Sequence, residues 1–127
     1  MALKFASQEI RADRRVVWEA AMLEPNALMY ASSELRSDRK FMVWAIMYHG
    51  NALEFAAEPL RADRDIVMMA VESCGRALEH AAAPLRADRE VVRAAALSYP
   101  KSFQYAAESL RYDRELVVEV AKRSGHG

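Results

Sequence analysis

Residues 52–76 read ALEFAAEPLRADRDIVMMAVESCGR, and residues 77–101 read ALEHAAAPLRADREVVRAAALSYPK. The two stretches align without a gap, and the same frame recurs on both sides of them. Five units result, at 2–26, 27–51, 52–76, 77–101 and 102–126, with a period of 25 and no insertion. Some columns hold one residue type throughout. Ala6, Ala31, Ala56, Ala81 and Ala106 form one; Arg11, Arg36, Arg61, Arg86 and Arg111 form another. Two residues on come Asp13, Asp38, Asp63, Asp88 and Asp113, each followed directly by Arg14, Arg39, Arg64, Arg89 or Arg114. A fixed period of this length marks a repeat architecture, because a unit too small to bury its own apolar face must stack on its neighbours.

Each unit predicts two helices. The first begins near Ala52 in unit three, with Asn51 placed to cap it as Asn26 is in unit two. Leu53, Ala56 and Leu60 mark one apolar face. Pro59 and Pro84 disfavour helical geometry at the residue before them, which limits this helix to about two turns. The second helix starts at the Asp column, where a carboxylate satisfies free amides and suits the positive end of the dipole. Its inner face is Ile66, Val67, Ala70 and Val71. Gly50, Gly75 and Gly125 stand where a left-handed C-terminal residue belongs, while Pro25 and Pro100 end the other two long helices. The predicted fold is all-α: an α-solenoid of five 25-residue helix–turn–helix repeats, ten helices in one domain. At roughly 8–10 Å between packed helix axes, five units extend about 40–50 Å.

Composition bounds the function classes. The 127 residues carry 18 Lys+Arg against 18 Asp+Glu, a formal net charge of zero, which disfavours binding to nucleic acid or anionic membrane through bulk charge. The single cysteine, Cys74, gives no internal disulfide and fits a reducing intracellular compartment. The longest wholly apolar run, Phe41 to Tyr48, is too short to span a bilayer, and MALKFASQEIRADRR lacks the apolar stretch of a secretory signal.

The pattern A-L-x-[FY]-A-x-x-x-L-R-x-D-R-x-[VI]-V, followed by an Ala-containing helix, resembles the domain-of-unknown-function family 4116 over essentially the whole chain. The resemblance implies short helical repeats in tandem, as found in bacterial and protist proteins, including large bacterial effectors. It implies no catalytic residues. The chain departs from the motif at His80, which replaces an aromatic residue (Phe5, Tyr30, Phe55 and Tyr105 elsewhere), and at Met42 in the Val column. Leucine-rich variant repeats have a similar length and offer a second frame for the fold.

Ten of the fourteen arginines lie in the repeated motif, so stacking lines them into ladders. The column Arg11, Arg36, Arg61, Arg86 and Arg111 is the candidate for binding phosphates or an acidic partner. The plainer reading pairs each Arg with an Asp of its own or the next unit, or with carbonyls of the short helix; Asp recurs in strict register, and neither interleaved aromatics nor a Gly-rich loop accompanies the motif.

The outward columns of the second helix distinguish the units. Units one to three place Trp18, Met22, Val43, Trp44, Met47, Met68 and Met69 there; units four and five place Arg93, Glu119 and Lys122. An apolar outer face strongest toward the N-terminus marks a partner surface, with Trp suited to hot spots and Met to adaptable contacts. Superhelical curvature can fold Trp18 and Met68 back between repeats, less so Trp44 and Met47. His49 and Cys74 share a column one repeat apart, but two ligands fall short of the three or four a zinc site needs. Asp63 and Asp65 fall at a helix start, where capping accounts for them. No metal, cofactor or catalytic constellation is expected. Unit one follows Met1 with no polar capping helix, which leaves its open face to dock on another chain, a second copy or a missing segment of a longer protein, and KRSGHG gives the other end a polar finish. The expected function is a non-enzymatic protein–protein interaction scaffold, an accessory subunit of a larger assembly, with self-association open to it. The alternatives are anion or nucleic-acid binding through the Arg ladder, and a fragment of an effector acting on a host protein.

Overall fold

The computed structural model describes residues 7–123. Ala2, Phe5, Ala6, Gly125 and the 124–127 tail, on which expectations were placed above, lie outside the described residues. Five four-residue α-turns, Gln8–Arg11 (α1), Ser33–Arg36 (α3), Glu58–Arg61 (α5), Ala83–Arg86 (α7) and Glu108–Arg111 (α9), alternate with five ten-residue helices. The latter are Arg14–Leu23 (α2), Arg39–Tyr48 (α4), Arg64–Ser73 (α6), Arg89–Ser98 (α8) and Arg114–Arg123 (α10). Between each long helix and the next α-turn runs a six-residue 3₁₀ helix: Pro25–Tyr30, Gly50–Phe55, Gly75–His80 and Pro100–Tyr105. Long helices stack on long helices and 3₁₀ helices on 3₁₀ helices, so the chain is an all-α repeat fold.

The expected short helix is therefore two pieces rather than one. The chain is extended at Ala56 and Ala57 (φ −70°, ψ 147° and φ −62°, ψ 155°), which separates Gly50–Phe55 from Glu58–Arg61. A backbone bond between units accounts for the break. The Ala57 N–H donates to the Arg36 carbonyl of the preceding unit at 2.9 Å, and Ser32, Ala82 and Ala107 do the same to Arg11, Arg61 and Arg86 at 3.0, 2.9 and 2.8 Å. A helical residue there would spend that N–H within its own unit. Pro59 and Pro84 lie in the first turn of their α-turns, where the missing N–H is an orphan in any case. Asn51 is not the cap: it lies inside the 3₁₀ helix, whose N-cap is His49.

The glycines also act differently from the expectation. The long helices α2, α4, α6 and α8 end on an extended residue (Glu24, His49, Cys74 and Tyr99) whose N–H still closes the last turn, and neither Gly50 nor Gly75 is left-handed. Both open a 3₁₀ helix and are constrained by close approach of the next unit. A Cβ at Gly50 would meet the Ala70 carbonyl oxygen and Cys74 Cβ at 2.8 Å each. At Gly75 it would meet the Ala95 oxygen at 2.2 Å, and the Gly75 N–H donates to Ser98 Oγ at 3.0 Å.

The Asp column starts the long helices as the sequence predicts. The Asp38, Asp63, Asp88 and Asp113 Oδ1 atoms accept the N–H of the third residue on at 3.0–3.2 Å. The core is a set of columns: Leu28, Leu53 and Leu78 from the 3₁₀ helices, Leu35, Leu60, Leu85 and Leu110 from the α-turns, and Phe41, Ile66, Val91 and Leu116 from the long helices. Burying each such side chain contributes about 1.5–3 kcal/mol relative to leaving it exposed. Ala45, Ala70 and Ala95 are buried at the long-helix stack, where small side chains let adjacent units approach closely.

Candidate functional site

The outward residues of α2 and α4 build one groove. Trp18 is half-buried and lies edge-on to Phe41, Trp44 and Tyr48, with ring centroids 6.0, 6.2 and 5.5 Å away. Edge-to-face pairs of this kind are each worth about 0.5–1.5 kcal/mol beyond area burial. Trp18 thus serves as the floor that fixes the other rings. Trp44, Met47 and Tyr48 are 59, 62 and 63% exposed above it. With Arg14 and Arg15 they line a cavity of about 640 Å³ that crosses the junction of units one and two. Helical spacing explains the alignment: Trp44 and Tyr48 are one turn apart on α4, and Trp18 approaches them from α2.

The remaining outward residues divide. Val43, Met68 and Met69 are half-buried against the core and do not line the groove; Met22 is exposed beyond it. The reading from sequence did not single out Tyr48 as part of the site, although it follows Trp44 by one turn. In unit four the outward Arg93 Nε lies 2.6 Å from Glu119 Oε2, a contact in which the N–H is not aimed at the oxygen. Arg93 stands in the column that Trp18 holds in unit one, and Glu119 in the column that Trp44 holds in unit two.

The two arginine columns are engaged in different ways. In the first, Arg36 Nε donates to the Phe55 carbonyl of the next unit at 2.7 Å, while Arg61 Nε and Arg111 Nη2 donate to the Ala56 and Ala106 carbonyls of their own units at 3.2 and 3.4 Å. Arg11 lies over the Tyr30 ring, 5.8 Å from its centroid. Arg86 Nε is buried without a hydrogen-bond partner among the described residues.

In the second column every pairing reaches forward by one unit. Arg14 pairs with Asp38 and Arg39 with Asp63. Arg64 Nε lies 2.8 Å from Asp88 Oδ2, and Arg89 Nη1 2.5 Å from Asp113 Oδ2. Each carboxylate therefore caps its own helix through Oδ1 and holds the preceding unit's guanidinium through Oδ2. The Phe41 N–H, with Arg14, keeps the Asp38 carboxyl below the usual carboxylate range. Burial pushes Asp63 up, and the bonds from Arg39 and Ile66 outweigh it, so its net shift is also downward. Arg64 and Arg89 are the leading causes of the lowered pKa at Asp88 and Asp113.

His49 and Cys74, both half-buried, line a second, more polar cavity of about 500 Å³ with Asn26 and Asn51. His80 is half-buried in its 3₁₀ helix. Among the described residues no group of three or more His, Cys, Asp or Glu is placed to hold a metal ion, and no helix is long and apolar enough to cross a membrane.

No curated protein and no solved structure matches the chain. A family model described as a domain of unknown function (DUF4116) matches residues 1–36, 13–61, 38–86 and 88–126. Three of the four matches begin at an Asp of the capping column, Asp13, Asp38 and Asp88, so they follow the period that the stacked units display. The chain accordingly belongs to the DUF4116 family, as a tandem array of its repeats.

Proposed function

We propose that this chain is a non-enzymatic helical-repeat scaffold, an accessory subunit that binds a protein partner through the groove between α2 and α4. The observation that carries the reading is the position of Trp44, Met47 and Tyr48, three large apolar side chains left well exposed on a floor made rigid by Trp18 and Phe41. Aromatic anchors on a preorganised base are what interface hot spots use, since little rotamer freedom is lost on binding. The length of the groove along α4 suits an amphipathic helix that inserts one apolar anchor. Arg15, largely exposed on the rim, already lies 3.5 Å from the Glu19 carboxylate of its own helix.

The Arg-ladder reading has less support. The four forward-reaching arginines each face a carboxylate, and Arg36, Arg61 and Arg111 are directed at backbone carbonyls.

Affinity capture with the parent chain and with a Trp44→Glu, Met47→Glu variant tests the groove. Both positions are solvent-facing, so circular dichroism should match the parent, and melting should fall only by the lost Trp18–Trp44 pair, while the captured partner is lost. The partner's addition should also shift Trp fluorescence in the parent. Equal capture of the same partner by both chains overturns the groove as the binding surface.

A further inference from the structure

The methionines of this chain differ sharply in their access to solvent-borne oxidants. Six of the seven lie among the described residues. Met42 is wholly buried, and Met68 and Met69 are half-buried against the core. Met22, Met29 and Met47 are 42, 48 and 62% exposed, so Met47 is the most open of the six. Its exposure does not come from an end of the array, because α4 has a stacked long helix on either side, α2 and α6. Of the six, Met47 alone lines the groove between α2 and α4. It follows Trp44 by three residues and so shares a helix face with it.

The repeat shows what an added oxygen would do at each place. In the column of Met47, units three and five carry Glu72 and Lys122, both exposed, so the fold accepts a polar group there. In the column of Met42 stand Val17, Val67 and Val92, all buried, and a polar atom among them would disrupt packing. A sulfoxide at Met47 therefore leaves the repeat folded and changes only the groove. Trp18 and Trp44 are the chain's two tryptophans, and both line that groove, so indole fluorescence reports on it alone.

We propose that Met47 is a reversible oxidation site whose sulfoxide shuts the groove to an apolar anchor; the second half of this rests on the reading of the groove as a partner site. Hydrogen peroxide transfers one oxygen atom to Met47 Sδ. The O–O bond breaks, an S–O bond forms, the thioether sulfur is oxidised, and the peroxide is reduced to water. Methionine sulfoxide reductases, supplied with a dithiol, reverse the step: the oxygen leaves as water and the dithiol becomes a disulfide. Oxidation turns a flexible apolar side chain into a polar one. The guanidiniums on the rim already face carboxylates, Arg14 at Asp38 and Arg15 at Glu19. A partner seating an apolar anchor would bury the new oxygen unpaired, which weakens binding roughly tenfold or more.

The test treats the full chain with hydrogen peroxide and follows it by peptide mapping, Trp fluorescence and circular dichroism. Met47 should oxidise first, ahead of Met22 and Met29, with Met42 last. Trp emission should shift in step with the Met47 sulfoxide while the helical signal stays that of the parent. The two sulfoxide reductases together should restore the emission. Dithiothreitol alone, which reverses thiol oxidation at Cys74, should not. A Met22→Leu, Met29→Leu chain should show the same shift, which ties it to Met47. Slower oxidation of Met47 than of Met68 or Met69 overturns the oxidation site, as does an emission that ignores the Met47 sulfoxide. A Met47-oxidised chain that captures the parent's partner undiminished overturns the switch. If Trp44→Glu, Met47→Glu removes no partner, the groove reading fails and the switch with it, whereas mapping and fluorescence judge the oxidation site independently.

Discussion

Replacing Gly75 by Ala adds one methyl group between unit three and unit four. Its Cβ would stand 2.2 Å from the Ala95 carbonyl oxygen and 2.8 Å from Tyr99 Cβ. Carbon–oxygen contacts normally begin at about 3.3 Å, so the end of α8 must retreat by roughly 1 Å. The obstacle cannot swing away as a side-chain tip does, because the Ala95 oxygen accepts the Tyr99 N–H at 2.8 Å and closes the helix. Overpacking of this kind costs about 1–3 kcal/mol. Against it stands a gain of about 0.4–1 kcal/mol from a less flexible unfolded chain, available because Gly75 is not left-handed. The net expectation is a loss of about 1–2 kcal/mol. For Gly50→Ala the nearest atoms are at 2.8 Å, the required shift is smaller, and the two terms nearly cancel. Urea unfolding followed by circular dichroism reads both. With a slope of about 1–3 kcal/mol per molar urea, Gly75→Ala should lower the midpoint by roughly 0.5–1 M and Gly50→Ala by much less. Pro25 and Pro100 fill the same column, so room for a Cβ is set unit by unit, which is why the ordering of the two variants carries the argument. A Gly75→Ala chain as stable as the parent, or a Gly50→Ala chain that loses as much, would refute the close-approach reasoning.

Other consequences of the geometry can be measured on the same chain. Ser102 is fully buried with no partner for its hydroxyl among the described residues, in a column that holds Ala27, Ala52 and Ala77, so Ser102→Ala should raise stability by about 1 kcal/mol in the same urea assay. Asp88→Asn keeps a side chain that caps helices and loses only the exposed pair with Arg64, a cost of about 0–1 kcal/mol. Asp88→Ala loses the cap as well, about 1 kcal/mol more, and the order parent, Asn, Ala in melting temperature verifies the dual role. The carboxyls of Asp38, Asp63, Asp88 and Asp113 all titrate below their ordinary value when folded. Their contribution is present above the unfolded value of about 3.9 and disappears as pH falls through the folded values, so melting temperature should be level from about pH 7 to 5 and drop below about 4. Arg64 and Arg89 are raised, and a raised group contributes fully below its unfolded pKa, so neither adds slope in that window. Trp18→Ala removes the floor beneath three rings and should cost about 2–4 kcal/mol, whereas Trp44→Ala, largely exposed, loses one edge-to-face pair and should cost about 0.5–1.5 kcal/mol.

What the sequence determined by itself is whatever repeats along the chain within about one helical turn. The 25-residue period, the five units, the Asp start of each long helix and the buried columns at Ile66, Val67, Ala70 and Val71 all follow from local capping and helical periodicity. Tertiary structure decided what depends on the distance between units. Whether Arg64 reaches Asp63 or Asp88 is invisible in a motif that offers both, and stacking selects the next unit. The break at Ala56 and Ala57 exists because the Arg36 carbonyl of the preceding unit takes the Ala57 N–H, a partner 21 positions back. Gly75 looked like a helix terminator because glycine commonly is one; its constraint is the Ala95 oxygen of the following unit. The groove has the same origin. Trp18 and Trp44 were legible as outward residues of their own helices, but that Trp18 becomes the floor and Tyr48 a wall follows only once α2 and α4 stack, because rings on two helices meet at a separation that no single-helix pattern encodes.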